Sequence, residues 1–340
     1  MAADGARVAI VKLSSLGDVV HALPVAAALR AARPHARLTW VAERREAAVL
    51  HGHPALDEVV AVDTRRWRRA RRPREVAAAV REMAALRAGL RGRFDVALDL
   101  QGLLKSGLLA AATGAPLRIG FAAARCREPL SALLTNRRVT PPATARHAVD
   151  HCLALLEPLG VSPGRVEFHV PRAPAAEARM EEFFAAAGLK PRTRVVVLNP
   201  GAGHPAKRWP VERFRELGGR LVQEVGASVL VAWGPGERAA ALAIAGDAGP
   251  GGPGPVLAPP TGLDDLVALL ARASVVVAGD TGPLHVAAAL GVPCVGLYGP
   301  TAAARNGPYG PGHHALQSPD GTLAALGVDA VLHAVGEALG

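Results

Sequence analysis

Short runs of β-branched residues alternate with Ala-, Leu- and Arg-rich stretches of helical spacing along almost the whole chain. Parallel strands need a crossover between them, and a helix is the usual one. The alternation therefore predicts an α/β fold with parallel sheets and right-handed crossovers. Hydrophobic residues make up 50% of the chain but aromatic residues only 4%, which is typical of aliphatic cores in sheets covered by helices. Ten runs are predicted as strands: 8–13, 38–42, 58–62, 94–100, 117–121, 194–199, 228–233, 256–258, 274–278 and 294–298.

The length of the chain and one proline-containing stretch predict two domains. At 340 residues the chain exceeds the usual size of a single core, which is about 250 residues. The stretch 170–174 contains two prolines and separates the two sets of strands, so we place a boundary near residue 172. Each half, 1–172 and 173–340, is expected to form a doubly wound, Rossmann-like parallel sheet. Ligands of such sheets bind beyond the carboxyl ends of the strands, so the informative residues should follow strands.

The segment after the first predicted strand, 12–21, carries the first candidate for chemistry. Gly17 permits a tight turn there, and Asp18 lies at the start of the following helix. Two interpretations of Asp18 stay open: a cap that stabilises the helix by about 1 kcal/mol, or a general base. A sugar hydroxyl is a poor nucleophile until its proton is removed, so transfer to such a hydroxyl needs a base of this kind.

Two strand ends in the second half are typical of phosphate-binding loops. The strand 274–278 leads into 279–285, where glycines precede a helix whose N-terminal N–H groups attract phosphate. Asp280 would repel a diphosphate, so it is expected to cap the helix or to bond hydroxyls of a donor. After the strand 194–199, glycines permit close approach of a ligand. Lys207 is then either a solvated surface lysine or a cation that neutralises a departing diphosphate.

Nucleotide-binding motifs of other enzyme classes are weak or missing in the sequence. The segment 234–239 fits G-x-G-x-x-A, but a proline occupies the turn and the next strand lacks the acid that binds ribose. A nicotinamide cofactor is therefore not expected, and no P-loop sequence indicates an ATPase.

The cysteines and the N-terminal segment indicate a cytoplasmic protein. The three cysteines are isolated from one another and from histidines at ligand spacing, which fits a reducing compartment and speaks against structural zinc. The segment 1–13 has no basic region followed by an apolar one, and no stretch approaches about 18 uncharged apolar residues. Neither secretion nor a membrane span is expected.

Most of the net positive charge is accounted for by one segment. The formal net charge is +10, and seven arginines lie within positions 65–74. Three interpretations stay open: a solvated surface, a nucleic-acid patch, and a clamp for the carboxylates and phosphates of an acceptor or a membrane. Arginine suits bidentate phosphate recognition, and no DNA- or RNA-binding signature accompanies the run, which favours the third interpretation.

Eight segments together carry a resemblance to known proteins: 11–21, 65–69, 99–106, 127–130, 207–210, 233–234, 280–285 and 298–301. Together and in this order, they resemble the lipopolysaccharide heptosyltransferases of glycosyltransferase family 9, most closely the heptosyltransferase I group. The resemblance covers nearly the whole chain. It implies the GT-B architecture, in which two Rossmann-like domains face each other across a cleft. The N-terminal domain would bind the acceptor and the C-terminal domain the nucleotide sugar. In this architecture the last helix can pack back on the N-terminal domain.

The resemblance also implies roles for individual residues. Asp18 matches the catalytic base of the family. Ala202 and Gly203 stand where close relatives carry threonines, so contacts there are expected from the backbone. The residues that match donor-binding positions are Ala202, Gly203, Lys207, Glu237, Thr261, Asp280, Thr281, Gly282 and His285. The residues that match acceptor-binding positions are Arg65, Arg66, Arg68, Arg69 and Arg127.

The function that the resemblance implies is inverting transfer of L-glycero-D-manno-heptose from ADP-heptose to the Kdo residue of Kdo2-lipid A. No metal ion or other cofactor is expected. The alternative within the family is transfer to an already heptosylated core or to another cell-surface glycan. The expected location is the cytoplasmic face of the inner membrane, whose anionic surface the arginines would contact; nucleic acid is not an expected partner.

Two other classes of function stay open. One is a nucleotide-sugar epimerase or hydrolase of the same architecture, which would need further acid and base groups near the sugar. The other is a non-enzymatic protein that binds nucleic acid or an anionic membrane through the arginine run, with binding that falls steeply with salt.

Overall fold

The computed structural model describes residues 4–190, 193–246 and 254–340, so the first three residues of the N-terminal segment lie outside it. The chain divides into two compact units, Met1–Pro171 and Arg172–Gly340. Each unit contains a six-stranded sheet whose described strand pairs are all parallel. The α/β class predicted from the alternation is confirmed.

The sheet of the N-terminal unit has the strand order β3-β2-β1-β4-β5-β6. A short 3₁₀ helix, Pro129–Leu134, connects its last two strands. The strands are β1 Arg7–Val11, β2 Arg37–Glu43, β3 Glu58–Val62, β4 Val96–Asp99, β5 Leu117–Phe121 and β6 Arg137–Val139. The helices are α1 Leu16–Ala32, α2 Thr64–Arg69, α3 Pro73–Leu90, α4 Leu104–Ala112 and α5 Ala148–Ala154.

The sheet of the C-terminal unit has the order β12-β11-β10-β7-β8-β9. Its strands are β7 Val195–Asn199, β8 Ser228–Val231, β9 Val256–Leu257, β10 Val275–Gly279, β11 Cys294–Tyr298 and β12 His314–Gln317. Its helices are α6 Pro174–Ala186, α7 Val211–Val225, α8 Arg238–Ala245, α9 Leu263–Ala271, α10 Gly282–Ala289, α11 Ala303–Asn306 and α12 Val328–Leu339. The last helix, α12, packs against α7 and β11 of its own unit, and Val331 and Val335 are buried in that core.

All ten predicted strands are present, within two residues of the predicted bounds. The structure adds β6 and β12, which the sequence did not predict. Both lie at an outer edge of a sheet, where a strand needs no continuous apolar run. Two of the three residues of β6 are exposed arginines, and no residue of β12 is fully buried.

The strand order reverses once in each sheet, next to the first strand of the unit. The reversal lies between β1 and β4 in one sheet and between β7 and β10 in the other. Crossovers leave these two strands in opposite directions, which opens a crevice at their carboxyl ends where ligands of doubly wound sheets bind. The loops after β1, β4, β7 and β10 therefore hold the residues of interest.

Buried tryptophans fix two of these loops. The indole N–H of Trp40, in β2, donates to the carbonyl of Lys12 in the loop after β1 at 3.0 Å. Trp209 packs edge-to-face on Phe214, with ring centroids 4.9 Å apart, and its N–H donates to the carbonyl of Leu326 at 3.0 Å. Trp209 lies two residues after Lys207, in the loop that follows β7. These contacts of Trp209 therefore hold that loop in place.

Candidate active site

Asp18 lies in the first turn of α1, directly after the loop that leaves β1. The N–H and the hydroxyl of Ser15, the N-cap residue, both donate to its Oδ2, at 2.9 and 2.8 Å. This arrangement is a capping box, which stabilises the start of the helix. Asp18 is nevertheless exposed at the carboxyl edge of the sheet. Its capping contacts are thus compatible with proton transfer at the same carboxylate.

The loop before α1 is tied to Gln101, which follows β4 on the other side of the reversal. The side-chain carbonyl of Gln101 accepts from the N–H of Leu13 at 2.7 Å, and its amide donates to the carbonyl of Ser14 at 2.9 Å. The ammonium of Lys12 donates to the carbonyl of Leu100 at 2.8 Å. The position of the start of α1 therefore depends on the loop after β4.

Asp99, at the end of β4, orders the turn that presents Gln101. Its side chain is buried, and burial raises the pKa of the carboxyl. The N–H groups of Gln101 and Gly102 donate to its Oδ1 at 3.0 and 3.2 Å. These bonds hold the turn in one conformation.

A cavity of about 740 Å³ lies between the end of β2, α2 and the start of α3. Two of the acidic side chains that line it accept hydrogen bonds from backbone N–H groups. Asp63 caps α2 by accepting from the N–H of Arg66 at 2.9 Å. Glu75 accepts from the N–H groups of Arg71 and Arg72, which lowers the pKa of its carboxyl. The charged residues that line the cavity are Glu43, Arg44, Arg45, Asp63, Arg65, Arg66, Arg69 and Glu75.

Two buried glutamates fix the first turn of α2. One ends β2 and the other follows it by three residues. Glu43, 2% exposed, accepts from the N–H of Thr64 at 3.1 Å and from its hydroxyl, and the ammonium of Lys105 lies 3.4 Å away. Glu46, 4% exposed, pairs with the guanidinium of Arg65 at 2.7 Å. Buried carboxylates are costly without such partners. Their contacts hold the basic helix against the sheet.

The structure brings three of the five predicted acceptor-binding arginines to this cavity, namely Arg65, Arg66 and Arg69. Arg68 and Arg127 are exposed, and neither is among the described residues that line it. The five arginines therefore do not all meet at this one cavity.

Arg44 and Arg45 line the same cavity and were not predicted from the sequence. They come directly after β2, so the rule that ligand-binding residues follow strands would have found them. Within the described ranges, Arg44, Arg45 and Arg69 form no ion pair, whereas the other two arginines of the cavity pair with Glu46 and Glu82. The cavity keeps an excess of positive charge.

Three side chains meet at the reversal of the C-terminal sheet. The ammonium of Lys207 lies 2.6 Å from Oδ2 of Asp280, and Nε2 of His285 lies 3.1 Å from Oδ1. The side chains of Asp280 and His285 are 8% and 4% exposed. Burial opposes ionisation of Asp280, but the bonds from His285 and Lys207 outweigh it and hold the pKa well below its ordinary value of 3.8. Asp280 is therefore ionised and fixes the lysine.

The helix α10 begins beside this cluster. Its N-cap is Thr281, whose hydroxyl donates to the carbonyl of Gly279 at 3.2 Å. Capping this helix was one of two roles predicted for Asp280. Asp280 is not the cap, because its carboxylate is held by Lys207 and His285. In its first turn Pro283 has no N–H, so the N–H groups of Gly282 and Leu284 are the ones that lack partners within the helix, and with the helix dipole they favour an anion.

Two glycines let neighbouring loops approach each other here. A Cβ at Gly279 would lie 2.6 Å from the carbonyl oxygen of Lys207, so a glycine is needed where β10 meets that backbone. A Cβ at Gly201 would lie 1.9 Å from the carboxylate of Glu237, which accepts from the N–H of Gly234 at 2.8 Å. The loops after β7, β8 and β10 thus converge at one edge of the sheet.

The remaining predicted donor-binding residues lie along the same edge. Ala202 is buried, and its carbonyl accepts from the guanidinium of Arg208 at 2.8 and 3.0 Å. Gly203 is exposed, with open space where a Cβ would be. Thr261 follows β9, which lies three strand spacings, or about 14 Å, from β10. A site of this width suits an extended ligand such as a nucleotide sugar.

The described residues include no group of three His, Cys, Asp or Glu side chains that could hold a metal ion. In the same ranges, no helix is both long enough and apolar enough to cross a membrane.

Comparisons with known proteins agree with this architecture. The family described as Glycosyltransferase family 9 (heptosyltransferase) matches residues 83–328. The chain is 33% identical to the lipopolysaccharide heptosyltransferase 1 of Salmonella typhimurium over 327 residues, which cover 96% of this chain and 98% of that protein. It is also similar to the solved structure of the E. coli heptosyltransferase WaaC with ADP, with 30% identity, a TM-score of 0.81, and coverage of 98% and 99% of the two chains. The structure of WaaC with ADP-2-deoxy-2-fluoro heptose gives 30% identity, a TM-score of 0.78, and coverage of 97% and 99%.

Proposed function

This chain belongs to glycosyltransferase family 9, the heptosyltransferase family, and from that membership we propose that it transfers a heptose from ADP-heptose to the inner core of lipopolysaccharide. The observation that carries the proposal is the cluster of Lys207, Asp280 and His285 beside the N terminus of α10. One relative of similar length, the E. coli heptosyltransferase WaaC, has been solved with ADP and with ADP-2-deoxy-2-fluoro heptose, which supports the choice of donor.

The donor is proposed to bind along the carboxyl edge of the C-terminal sheet. Its diphosphate fits beside the first turn of α10, where backbone N–H groups and Lys207 supply positive charge. Asp280 keeps the lysine in place and is an acceptor for sugar hydroxyls. Glu237 and Thr261 lie further along the edge, where they can contact the rest of an extended donor.

The acceptor is proposed to bind the N-terminal unit. Kdo2-lipid A carries carboxylates and phosphates, and arginine guanidinium groups bind both in a bidentate manner. The arginine-lined cavity offers Arg44, Arg45 and Arg69, which form no ion pair within the described ranges, together with Arg65 and Arg66. An acceptor with several anionic groups matches this excess of positive charge.

The proposed reaction is a single displacement with inversion at the anomeric carbon. Asp18 takes the proton of the acceptor hydroxyl while its oxygen forms a bond to C1 of the heptose. The bond from C1 to the phosphate oxygen breaks, and its electron pair leaves with ADP. Lys207 and the N terminus of α10 stabilise the charge that grows on the leaving diphosphate.

The substitution Asp18→Asn separates the two roles of this residue. Asparagine keeps an oxygen that accepts from Ser15, so the capping contact survives, whereas the proton acceptor is lost. We expect kcat to fall by about 10² to 10⁴ and the free energy of unfolding to change by less than about 0.5 kcal/mol. ADP release is measured with ADP-heptose and Kdo2-lipid A. Turnover close to that of the unsubstituted enzyme would leave Asp18 as a cap only.

Parallel assays with two acceptors test the proposed acceptor, the Kdo residue of Kdo2-lipid A. Transfer to Kdo2-lipid A supports it, and transfer only to an already heptosylated core supports the alternative within the family. ADP release that is equally fast without any acceptor would instead indicate a hydrolase. Because the proposed acceptor is anchored in a bilayer, we also propose that the enzyme works at the cytoplasmic face of the inner membrane.

A further inference from the structure

The exposed apolar side chains are concentrated on one part of the N-terminal unit. Among the described residues, eight large hydrophobic side chains are exposed, and seven belong to α3, α4 and the 3₁₀ helix Pro129–Leu134. Leu130 and Leu133 are the most exposed, at 65% and 71%. Single exposed leucines are ordinary, but a group on adjacent elements marks an interaction surface. The seven are Val76, Val80, Met83, Leu104, Leu108, Leu130 and Leu133.

The three elements form one layer on one face of the N-terminal sheet. They connect β3 to β4, β4 to β5 and β5 to β6, and all three connections run in the same direction across the sheet. Right-handed crossovers that run in one direction lie on one face of a sheet. Contacts of α3 with α4, and of α4 with the 3₁₀ helix, agree with this placement.

Four leucines form the outer side of this layer. Leu104 and Leu108 are one turn apart in α4, and Leu130 and Leu133 are one turn apart in the 3₁₀ helix, so each pair shares a face. Gly107 permits close contact between the two elements, since a Cβ there would lie 2.8 Å from a side chain of the 3₁₀ helix. The two pairs are therefore neighbours, and we call these four residues the leucine surface.

Positive charge lies around the leucine surface. The one acid between it and the preceding arginines, Glu128, accepts from the N–H of Leu104 at 2.6 Å. Apolar side chains within a basic surround are typical of surfaces that lie on anionic bilayers. A second copy of this chain is a poorer partner, because two molecules of net charge +10 repel each other. The exposed arginines of α3 and of the segment before the 3₁₀ helix are Arg74, Arg81, Arg87, Arg125 and Arg127.

We propose that the leucine surface docks onto an anionic lipid bilayer, with its leucines at the boundary between head groups and acyl chains. The inference rests on the proposed function in one respect: an acceptor anchored in a bilayer requires the enzyme to work there. Docking through this layer holds the arginine-lined cavity of the same unit near the charged groups of that acceptor. The arginines attract the protein to the surface, and the leucines retain it.

The test compares the double variant Leu108→Ser/Leu133→Ser with Leu242→Ser, which removes the eighth exposed hydrophobic side chain, on α8 of the C-terminal unit. Co-sedimentation is measured with vesicles of phosphatidylethanolamine and phosphatidylglycerol, and with phosphatidylcholine vesicles. The unsubstituted protein and Leu242→Ser should bind the anionic vesicles, less tightly as salt rises. The double variant should bind roughly 10-fold less tightly. Both leucines are more than half exposed, so thermal unfolding should be unchanged.

Several outcomes would overturn the proposal. One is equal binding of the double variant and the unsubstituted protein to anionic vesicles. Another is a change from dimer to monomer in analytical ultracentrifugation while vesicle binding persists, which would assign the leucines to self-association. A third is loss of transfer to a deacylated, water-soluble acceptor, which would place them in the sugar site. If the unsubstituted protein transfers no heptose but the vesicle pattern holds, the surface stands and the proposed function fails.

Discussion

The charges at the reversal of the C-terminal sheet are paired within the protein, whereas those around the N-terminal cavity are in excess. Asp280 is held by Lys207 and His285, and all three are largely buried or half-buried. Three of the five arginines of the cavity form no ion pair within the described ranges. A paired cluster keeps its geometry without a ligand, so the proposed donor site is preorganised. Unpaired arginines adapt at little cost, which suits an acceptor with several anionic groups.

Asp280→Asn should have the largest effect, because it breaks the pairing that defines the C-terminal site. Loss of the charge leaves Lys207 without its partner and displaces it from the diphosphate. We expect kcat/KM for ADP-heptose to fall roughly 100-fold and the free energy of unfolding to fall by about 2 kcal/mol. Steady-state kinetics and urea unfolding measure both. Asp264→Asn, on the exposed side of α9, is the matched control; an equal effect there would refute the special role of the cluster.

The effect of Asp280→Asn on the free energy of unfolding should depend on pH. The pKa of Asp280 is lowered in the folded state, so its contribution to stability is fully present above the ordinary value of 3.8 and is lost as pH falls below it. The difference in unfolding free energy between the unsubstituted protein and Asp280→Asn should shrink as the pH falls below about 4. A difference that grows on acidification would contradict the pairing.

Gly279→Ala should have an intermediate effect, since it tests whether the C-terminal site is rigid. The added Cβ would meet the carbonyl oxygen of Lys207 at 2.6 Å, and backbone does not yield as a side chain does. We expect a loss of about 2 kcal/mol in unfolding free energy and a higher KM for the donor. Gly203→Ala, where the Cβ would meet open space, serves as the control for the free energy of unfolding alone, because Gly203 is itself a predicted donor-binding residue. Equal stability of the two variants would show that the loop after β7 adjusts freely.

Arg44→Gln and Arg69→Gln should have the smallest effects, because the N-terminal cavity has arginines in excess. Each should raise the KM for Kdo2-lipid A about 5-fold, with the KM for ADP-heptose and the free energy of unfolding unchanged. The effect should weaken as salt rises, since exposed charges are screened. Arg215→Gln, on an exposed position of α7, controls for the loss of one positive charge. Any rise in the donor KM would mean that the two sites are not separable in this way.

Local sequence patterns predicted ten of the twelve described strands. The two strands that they missed lie at the edges of the sheets. The ten predicted strands carry short apolar or β-branched runs, so their sequence is sufficient to predict them. The edge strands β6 and β12 lack such runs. The family resemblance was needed to propose roles for Asp18 and for the predicted donor-binding residues, since a cap and a base have the same local sequence.

Contacts between distant parts of the chain were out of reach of the sequence. Lys207 and Asp280 are 73 residues apart and meet only because β7 and β10 are neighbours at the reversal. The sequence analysis did not single out Glu43 or Glu46. Their burial depends on contacts with Thr64 and Arg65 in α2, which no local pattern indicates. Gln101 is a further example, since its bonds to the loop after β1 span 87 and 88 residues.

The division of the chain at Pro171 and Arg172 makes the enzyme a natural subject for recombination. Every hydrogen bond described for the two sites joins residues of the same unit. On the proposed function, a chimera that takes residues 1–171 from a relative with another acceptor would carry that relative's proposed base and cavity and keep this chain's cluster of Lys207, Asp280 and His285. We therefore expect acceptor range to be exchanged as a block, by a single crossover.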